Sequence, residues 1–528
     1  MKNIRFRLVL CLLLVIVLGA SLAQAQDNTI IVATNITDLA SFDPAQNGSS
    51  TNLSVFYTVY ERLYELPNDP TQPLIPNLAV SHEVTDVTED SAVWTFQLRE
   101  GVTFASGNPF TAEDVVFSWT RVANFQNEPA QTFNLFVESV EAVDDLTLRV
   151  VVIRGPFPAP ISFFDVLTAL PSFSILDSQL LMENGGTTDA ETDTAGEWLN
   201  QNSAGSGPFI LTGWTPEAEV TLIRNDNYWN GAPAIDGVTL RQVNDSTTAL
   251  QLVERGEVDI AQNLDKDLAP QIEANPDLTL QSGQGLQIIY LALSPGFPDS
   301  PLADARVRRA IMLAVDYDGI VSGLLGGFAA RPAGVVPVGI LGAAEADQYR
   351  YTRDVEAARA LLEEAGFADG FELTINMPSS PLGGLSPEIL AAKLVADLDE
   401  IGITVNPVIE ADSVFREGRN AGEYQAWVTR FSADFFDPSN WTALFTIPRF
   451  FNIAYYAKVL DEGLQAAAVE TIVAEDRAAA VAEYTRLLNE FAAYSVLYQP
   501  QTVDAVSAAV SGYQFHPVAL IRYAALSK

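Results

Sequence analysis

Cysteine is nearly absent from this sequence. Cys11 is the only one among 528 residues, and it lies in an apolar run near the amino terminus. A chain processed after that run has no thiol, and therefore no disulfide, zinc–thiolate site or cysteine nucleophile. A large domain can be exported without disulfides because its core supplies the stability that small secreted domains take from cross-links.

Catalytic motifs are also scarce. The two histidines, His82 and His516, stand far apart and outside any H-E-x-x-H pattern, so each is predicted to be a surface or loop residue. The sequence contains neither a G-x-S-x-G elbow nor a P-loop. We therefore expect no metal and no cofactor. A carboxylate pair of the glycosidase type stays open, because acidic residues are abundant.

Basic residues are few. The chain has 29 Lys and Arg against 67 Asp and Glu, a formal net charge of -38. Such a surface repels phosphates, so we expect neither nucleic acid nor an anionic membrane surface as a partner. With 48% hydrophobic and 18% charged residues, the composition is that of a well-packed globular protein.

Only one long hydrophobic run is present. Leu8 to Leu18 follows a basic start and precedes the small-x-small site Ala23-Gln24-Ala25. This pattern predicts a signal peptide over residues 1–25, cleaved after Ala25, and a periplasmic or extracellular protein. Cys11 lies well before the site, so no lipid anchor is expected. No later run is long enough to span a bilayer, which predicts a soluble mature protein.

The rest of the chain is typical of a mixed α/β protein. "TAEDVVFSWTRVAN" predicts a helix with Thr111 as its N-cap, and residues 183–206 indicate a loop. "FELTINM", a helix with Ser386 as N-cap, and "ITVNPVI" form a strand–helix–strand unit, which normally makes a right-handed parallel crossover.

Two carboxylates follow the next predicted strand. "YQAWVTRF" runs into "SADFFDPSNW", which places Asp434 just past the carboxyl end of a strand, where open α/β sheets usually bind ligands. Asp437 precedes a proline and is predicted to form a turn. From the residues alone, Asp434 is open to four roles: catalytic acid, metal ligand, ligand-binding anion or turn former.

Several long motifs resemble one known family. They are "WTFQLREGVTFASGNPFTAEDVVFSW", "GSGPFILTGWTPEAEVTLIRNDNYWNGAPAIDGV", "LADARVRRAIMLAVDYDGI", "DVEAARALLEEAGFADGFEL" and "ADFFDPSNW". In this order they are similar to the extracellular solute-binding proteins of family 5, the peptide-binding components of ABC importers. The resemblance covers nearly the whole chain after the signal peptide.

The resemblance implies a two-lobed, class II (Venus-flytrap) periplasmic-binding-protein fold with an extra N-terminal subdomain. Lobe one would take residues 26–57, 205–285 and 491–528, the subdomain 58–204, and lobe two 286–490. The chain would cross between lobes near "LQIIYLAL" and "AYSVLYQ". The protein would be a non-enzymatic monomer that closes on its ligand and delivers it to permease subunits in the membrane.

The resemblance also implies ligand residues. Asp434 matches the aspartate that binds a peptide α-ammonium, Phe431 a ring that flanks the ligand, and Arg419 a basic position near the peptide carboxyl end. Ser432, in the same stretch, and Tyr498, near the second crossing, complete the predicted ligand-binding set.

One departure narrows the ligand class. Dipeptide binders carry an arginine where this sequence has "NMPSSPLGG", which is without a basic residue. An oligopeptide is therefore favoured over a strict dipeptide as the ligand. Arg419 or Arg430 could supply the positive charge for the peptide carboxylate. An oligosaccharide or another non-peptide solute is the alternative, and a secreted carboxylate-dependent hydrolase is a more distant one.

Overall fold

The computed structural model describes residues 28–37, 39–46, 53–155, 163–432, 436–446, 461–518 and 520–528. The predicted signal peptide lies outside these ranges. Within them, helices and strands alternate as in a mixed α/β protein, which confirms the predicted fold class. None of the helices in these ranges combines the length and the apolar character needed to cross a membrane.

The strands of the described residues follow in chain order. They are β1 Thr29–Thr34, β2 Tyr64–Glu65, β3 Ile75–Pro76, β4 Ala79–Thr85, β5 Ser91–Leu98, β6 Val137–Asp144, β7 Thr147–Ile153, β8 Phe209–Thr215, β9 Glu219–Arg224, β10 Gly237–Gln242, β11 Ile260–Ala261, β12 Leu278–Gln284, β13 Ile288–Leu293, β14 Ala329–Ala330, β15 Phe371–Pro378, β16 Ile403–Glu410, β17 Ala426–Phe431 and β18 Tyr494–Ser507.

The α-helices of the same residues fall mostly between these strands. They are α1 Leu53–Val59, α2 Ala112–Asn124, α3 Glu128–Asn134, α4 Phe164–Leu167, α5 Ser178–Glu183, α6 Ala195–Leu199, α7 Ser246–Glu254, α8 Ala269–Ala274, α9 Ala305–Ala314, α10 Val355–Glu364, α11 Pro387–Asp399, α12 Asp412–Asn420, α13 Ser439–Thr442, α14 Glu462–Val473 and α15 Arg477–Phe491.

Local signals located the predicted elements well. Thr111 forms a capping box with Asp114 at the start of α2, and the side chain of Ser386 caps α11. β15 and β16, which flank α11, are parallel neighbours in register, as the strand–helix–strand pattern predicts. The predicted loop over 183–206 is wrong in one part, because α6 lies within it.

A twelve-stranded sheet forms the frame of the protein, in the order β16-β15-β17-β13-β18-β11-β1-β10-β9-β8, with β12 and β14 pairing with β18 off this path. We call β1 and β8–β12 the first half-sheet, and β13 and β15–β17 the second half-sheet. β1 is parallel to β10 and β11, and β15 is parallel to β16 and β17. The sheet is therefore mixed in both halves.

The long strand β18 belongs to both half-sheets. Its residues 494–498 pair with β13, and its residues 501–507 pair with β12. β12 and β13 are separated only by residues 285–287. The chain thus passes between the half-sheets at two adjacent places, near the segments 286–293 and 493–499 where the sequence predicts the crossings.

A separate four-stranded antiparallel sheet, in the order β4-β5-β7-β6, lies within the predicted subdomain. Its buried side chains Trp94 and Phe96 pack with Trp119 of α2 and with Phe164 and Phe173 in one aromatic core. The bounds of the lobes and the subdomain stay predictions.

Candidate functional site

A cleft lies between the two half-sheets, beside the crossings. It consists of two adjoining cavities of about 380 and 540 Å³, both within the range usual for ligand sites, roughly 300–1,000 Å³. The residues shared by the two cavity walls are Leu53, Asn263, Leu264, Asp265, Gln287 and Val518. Because walls of both half-sheets contribute, relative motion of the halves would open or close this cleft.

Ser432 is the predicted ligand residue that lines the cleft directly. Its hydroxyl accepts a hydrogen bond from Gln287 Nε2 at 3.0 Å, which ties the end of β17 to the crossing at 285–287. Asp434 lies outside the described residues, two positions beyond Ser432. The structure therefore brings the chain to the cleft immediately before Asp434, and the role of Asp434 stays a prediction.

Phe431 is half-buried at the end of β17. Its ring makes edge contacts with Trp441 and Phe445, at centroid distances of 6.3 and 5.4 Å. At least one side of the ring therefore belongs to the core, and its contact with a ligand stays a prediction.

Arg430 precedes Phe431 and faces the opposite side of β17, since strand side chains alternate. It lines the larger cavity, whereas Arg419 sits on α12, donates to Asn420 Oδ1 at 3.1 and 3.3 Å, and belongs to neither cavity wall. Of the two arginines that the sequence offered as sources of positive charge, Arg430 is the one that the structure places at the cleft.

Tyr498 is fully buried in β18. Its hydroxyl donates to the carbonyl oxygen of Leu382 at 2.5 Å, and burial raises the pKa of the Tyr498 phenol. In this structure Tyr498 thus holds the turn that contains Leu382 from the buried side of the turn, away from the cavity. Direct contact of Tyr498 with a ligand stays a prediction and would need that turn to move.

A tight turn at Leu382–Leu385 forms one wall of the smaller cavity. Leu382 and Leu385 exchange backbone hydrogen bonds, and Gly383 and Gly384 have φ values of +55° and +94°. Positive φ at both central residues is readily adopted only by glycine, which explains "LGGL".

Three side-chain donors converge on consecutive carbonyl oxygens at the start of this turn, beginning with the residue before it. Arg430 Nη1 donates to Pro381 O at 3.1 Å, Tyr498 Oη to Leu382 O, and Lys266 Nζ to Gly383 O at 2.7 Å. The donors come from β17, β18 and the segment after β11. The stretch that lacks a basic residue of its own is therefore flanked by two cations from distant parts of the chain.

Lys266 is the cleft residue that sequence reasoning missed. It lines the smaller cavity from the first half-sheet side, and burial lowers the pKa of its ammonium to about 8, with Asp265 acting in the opposite direction. The only sequence signal was the glycine pair, which predicts a turn but does not indicate what packs on it.

Both histidines lie where the sequence predicts, one in a loop and one at the surface. His516 lies in a loop as predicted, but it is 1% exposed, and its ring stacks on Phe436 at a centroid distance of 5.8 Å. His82 is exposed on β4. Within the described ranges, no cluster of three or more His, Cys, Asp or Glu side chains could hold a metal ion.

Comparisons with known proteins agree with this geometry. The sequence model of the bacterial extracellular solute-binding proteins, family 5 Middle, matches residues 73–451. Di/tripeptide-binding protein 2 of Pseudomonas aeruginosa is 30% identical over 96% of both chains. The probable D,D-dipeptide-binding periplasmic protein DdpA of Escherichia coli is 27% identical over 98% of this chain and 97% of its own.

A solved structure shows the same fold. HbpA2 from Haemophilus parasuis superimposes with a TM-score of 0.80 at 24% identity, covering 95% of this chain and 99% of its own. The topology therefore extends over nearly the whole length of both proteins.

Proposed function

This chain belongs to the bacterial extracellular solute-binding proteins of family 5, and from that membership we propose that it captures peptides for the permease of an ABC importer. The observation that carries the proposal is the cleft between the half-sheets, which both halves line. Two curated relatives are named as peptide-binding proteins. Oligopeptides are favoured over strict dipeptides, because the stretch 376–384 contains no basic residue.

Hinge closure is the mechanism that we propose. The lobes, 26–57 with 205–285 and 491–528 on one side and 286–490 on the other, rotate about the paired crossings and enclose the peptide. The subdomain, 58–204, stays outside this motion. A permease can favour the liganded form only through contacts that differ between the open and closed shapes, so closure itself is the signal.

The proposed ligand contacts extend from the described cleft. Asp434 pairs with the peptide ammonium, and Ser432 and Phe431 lie beside the bound chain. Arg430 rather than Arg419 is the arginine at the cleft, on the wall of the larger cavity. Tyr498 acts through the turn at Leu382 that it supports.

The working protein is proposed to be an extracytoplasmic monomer released by cleavage after Ala25. The net charge of -38 disfavours nucleic acid as a partner. The proposal includes no catalytic step, since the sequence contains no complete catalytic motif.

Mass spectrometry of compounds that co-purify with the exported protein tests this function. We expect peptides, returned chemically unchanged after long incubation, and a smaller radius of gyration by X-ray scattering when a peptide library is added. A co-purifying oligosaccharide would replace the peptide proposal, and hydrolysis of the bound compound would support an enzyme instead. An unchanged scattering profile at saturating peptide would contradict hinge closure.

A further inference from the structure

We propose that Lys266 recognises a carboxylate of the bound molecule, and that it is the residue that selects peptides with a free carboxyl end. This inference rests on the proposed function. Arg430 and Arg419 were the sequence candidates for that role, and Lys266 lies far from both in the chain.

The geometry leaves Lys266 able to bind a second group. An ammonium has three N–H donors, and one of them is used by Gly383 O at 2.7 Å. Among the described residues, no carboxylate oxygen lies within 4.0 Å of Nζ. The side chain is half-buried at the wall of the smaller cavity, where Gln287, Ser432 and Gln501 supply further polar atoms.

The cleft walls carry two acidic and two basic side chains, and none of the described carboxylates pairs with Lys266. Asp265, its neighbour in the chain, is exposed and acts on it only through space, while Asp245 and Arg430 line the adjoining cavity. Burial of Lys266 without an ion-pair partner disfavours its charged form. A ligand carboxylate would provide that partner, in a cleft from which closure excludes water.

The backbone of the turn is shaped to admit the ammonium. A Cβ atom on Gly384 would overlap with Lys266 Nζ, so the position of Nζ depends on glycine there. Because Lys266 follows β11 of the first half-sheet and Gly383 follows β15 of the second, the same ammonium joins both sides of the cleft. Lys266 should therefore bind a ligand carboxylate most tightly when the two half-sheets are close together and the cleft is closed.

An equimolar tripeptide library, synthesised once with free carboxyl ends and once as C-terminal amides, tests the inference by calorimetric titration. For the wild type we expect the free acids to bind about 10- to 100-fold more tightly than the amides. Lys266→Met should abolish this preference, measured as the ratio of acid to amide affinity, and Lys266→Arg should retain most of it. Lys528→Met removes the same charge outside the cleft, at a residue paired with Asp259, and should keep the preference in full.

A second measurement needs no variant. Because only the protonated amine attracts a carboxylate, the ratio of acid to amide affinity in the wild type should decline as the pH rises above about 8. Deprotonation of the peptide α-ammonium in the same range weakens both libraries alike and cancels in this ratio.

The outcomes separate the two proposals. Equal binding of acids and amides by the wild type would overturn the inference and leave peptide capture intact. A preference that survives in Lys266→Met would assign the carboxylate to another residue and also overturn it. Binding of neither library would overturn the proposed function, and this inference with it.

Discussion

Asp437 forms a buried ion pair with Arg477, whose Nη2 lies 2.8 Å from both carboxylate oxygens. Asp437 Oδ1 also accepts hydrogen bonds from the backbone nitrogen and the hydroxyl of Ser439, at 3.0 and 2.6 Å. The predicted turn at Asp437 is thus confirmed. The structure also shows that the ion pair binds this turn to the start of α15, forty residues further along the chain.

Replacing Asp437 should therefore affect stability. Asp437→Asn leaves Arg477, whose side chain is 19% exposed, without its carboxylate, and we expect a loss of about 2–4 kcal/mol in the free energy of unfolding. Denaturant titration measures it. The double variant Asp437→Asn, Arg477→Gln should recover part of the loss. Arg486→Gln, which breaks two ion pairs with the exposed carboxylates of Glu483 and Glu490, should cost less than about 1 kcal/mol. A loss no larger than that of the Arg486 variant would contradict the prediction.

Replacing Asp434 should instead affect binding. If its carboxylate pairs with a peptide ammonium in the closed cleft, Asp434→Asn leaves that ammonium unpaired and should cost roughly 2–5 kcal/mol, or about 30-fold to several thousand-fold in affinity. Asp299→Asn, at an exposed position, is the matched control. Calorimetry with a peptide mixture compares them. Unaltered affinity in the Asp434 variant would indicate a ligand without an ammonium group, and a sugar would become the better hypothesis.

Gly384→Ala should weaken both stability and binding. The alanine must adopt a φ near +94°, which costs about 1–2 kcal/mol, and its Cβ displaces Lys266 Nζ. Gly339→Ala provides the control, because its φ is +97° and no atom lies within 4 Å of the new Cβ. Both variants should lose similar stability in thermal melts, and only Gly384→Ala should lose affinity for free-acid peptides. Equal binding by the two variants would show that the position of Lys266 is unimportant.

His516 should make the protein sensitive to acid. Burial, assisted by Arg522, lowers the pKa of His516 to about 3, below its ordinary value of 6.5. A histidine with a lowered folded-state pKa contributes stability that is present above pH 6.5 and is lost as the pH falls towards 3. The full effect is on the order of 5 kcal/mol.

Melting temperatures between pH 7 and pH 4 measure this contribution. His516→Phe keeps an aromatic ring against Phe436 and should lose less stability than the wild type as the pH falls. Other buried groups titrate in the same pH range in both proteins. The contribution of His516 is therefore the difference in pH dependence between the wild type and His516→Phe. His82→Gln removes the other histidine and provides the comparison variant. Parallel pH profiles for His516→Phe and the wild type would refute this assignment.

Sequence patterns predicted the helices, strands and turns whose signals lie close together in the chain. The capped helix α11 and its flanking strands carry their own signals, namely Ser386, Pro387 and a leucine stripe that the structure buries. The prediction at Asp437 was right for the same reason, since an aspartate before a proline restricts its own backbone.

Such local patterns could not predict which side chains meet at the cleft. Lys266 meets Gly383 across 117 residues, and Arg477 meets Asp437 across 40, so no local spacing indicates either contact. Tyr498 shows a second limit. Its place near a crossing was predicted, but which way a strand side chain faces depends on register, and the register places this ring in the core.

The position of β18 late in the chain has a consequence for folding. This strand pairs with β11, β12, β13 and β14, so neither half-sheet has its full set of partners until residues 494–507 have joined. Contacts between segments so distant along the chain form slowly, and they leave strand edges exposed in the meantime. If the chain crosses a membrane with its amino terminus first, both half-sheets reach the far side before β18 does and lack a partner strand. A chaperone on that side would then be needed most, to cover the exposed strand edges until β18 has crossed.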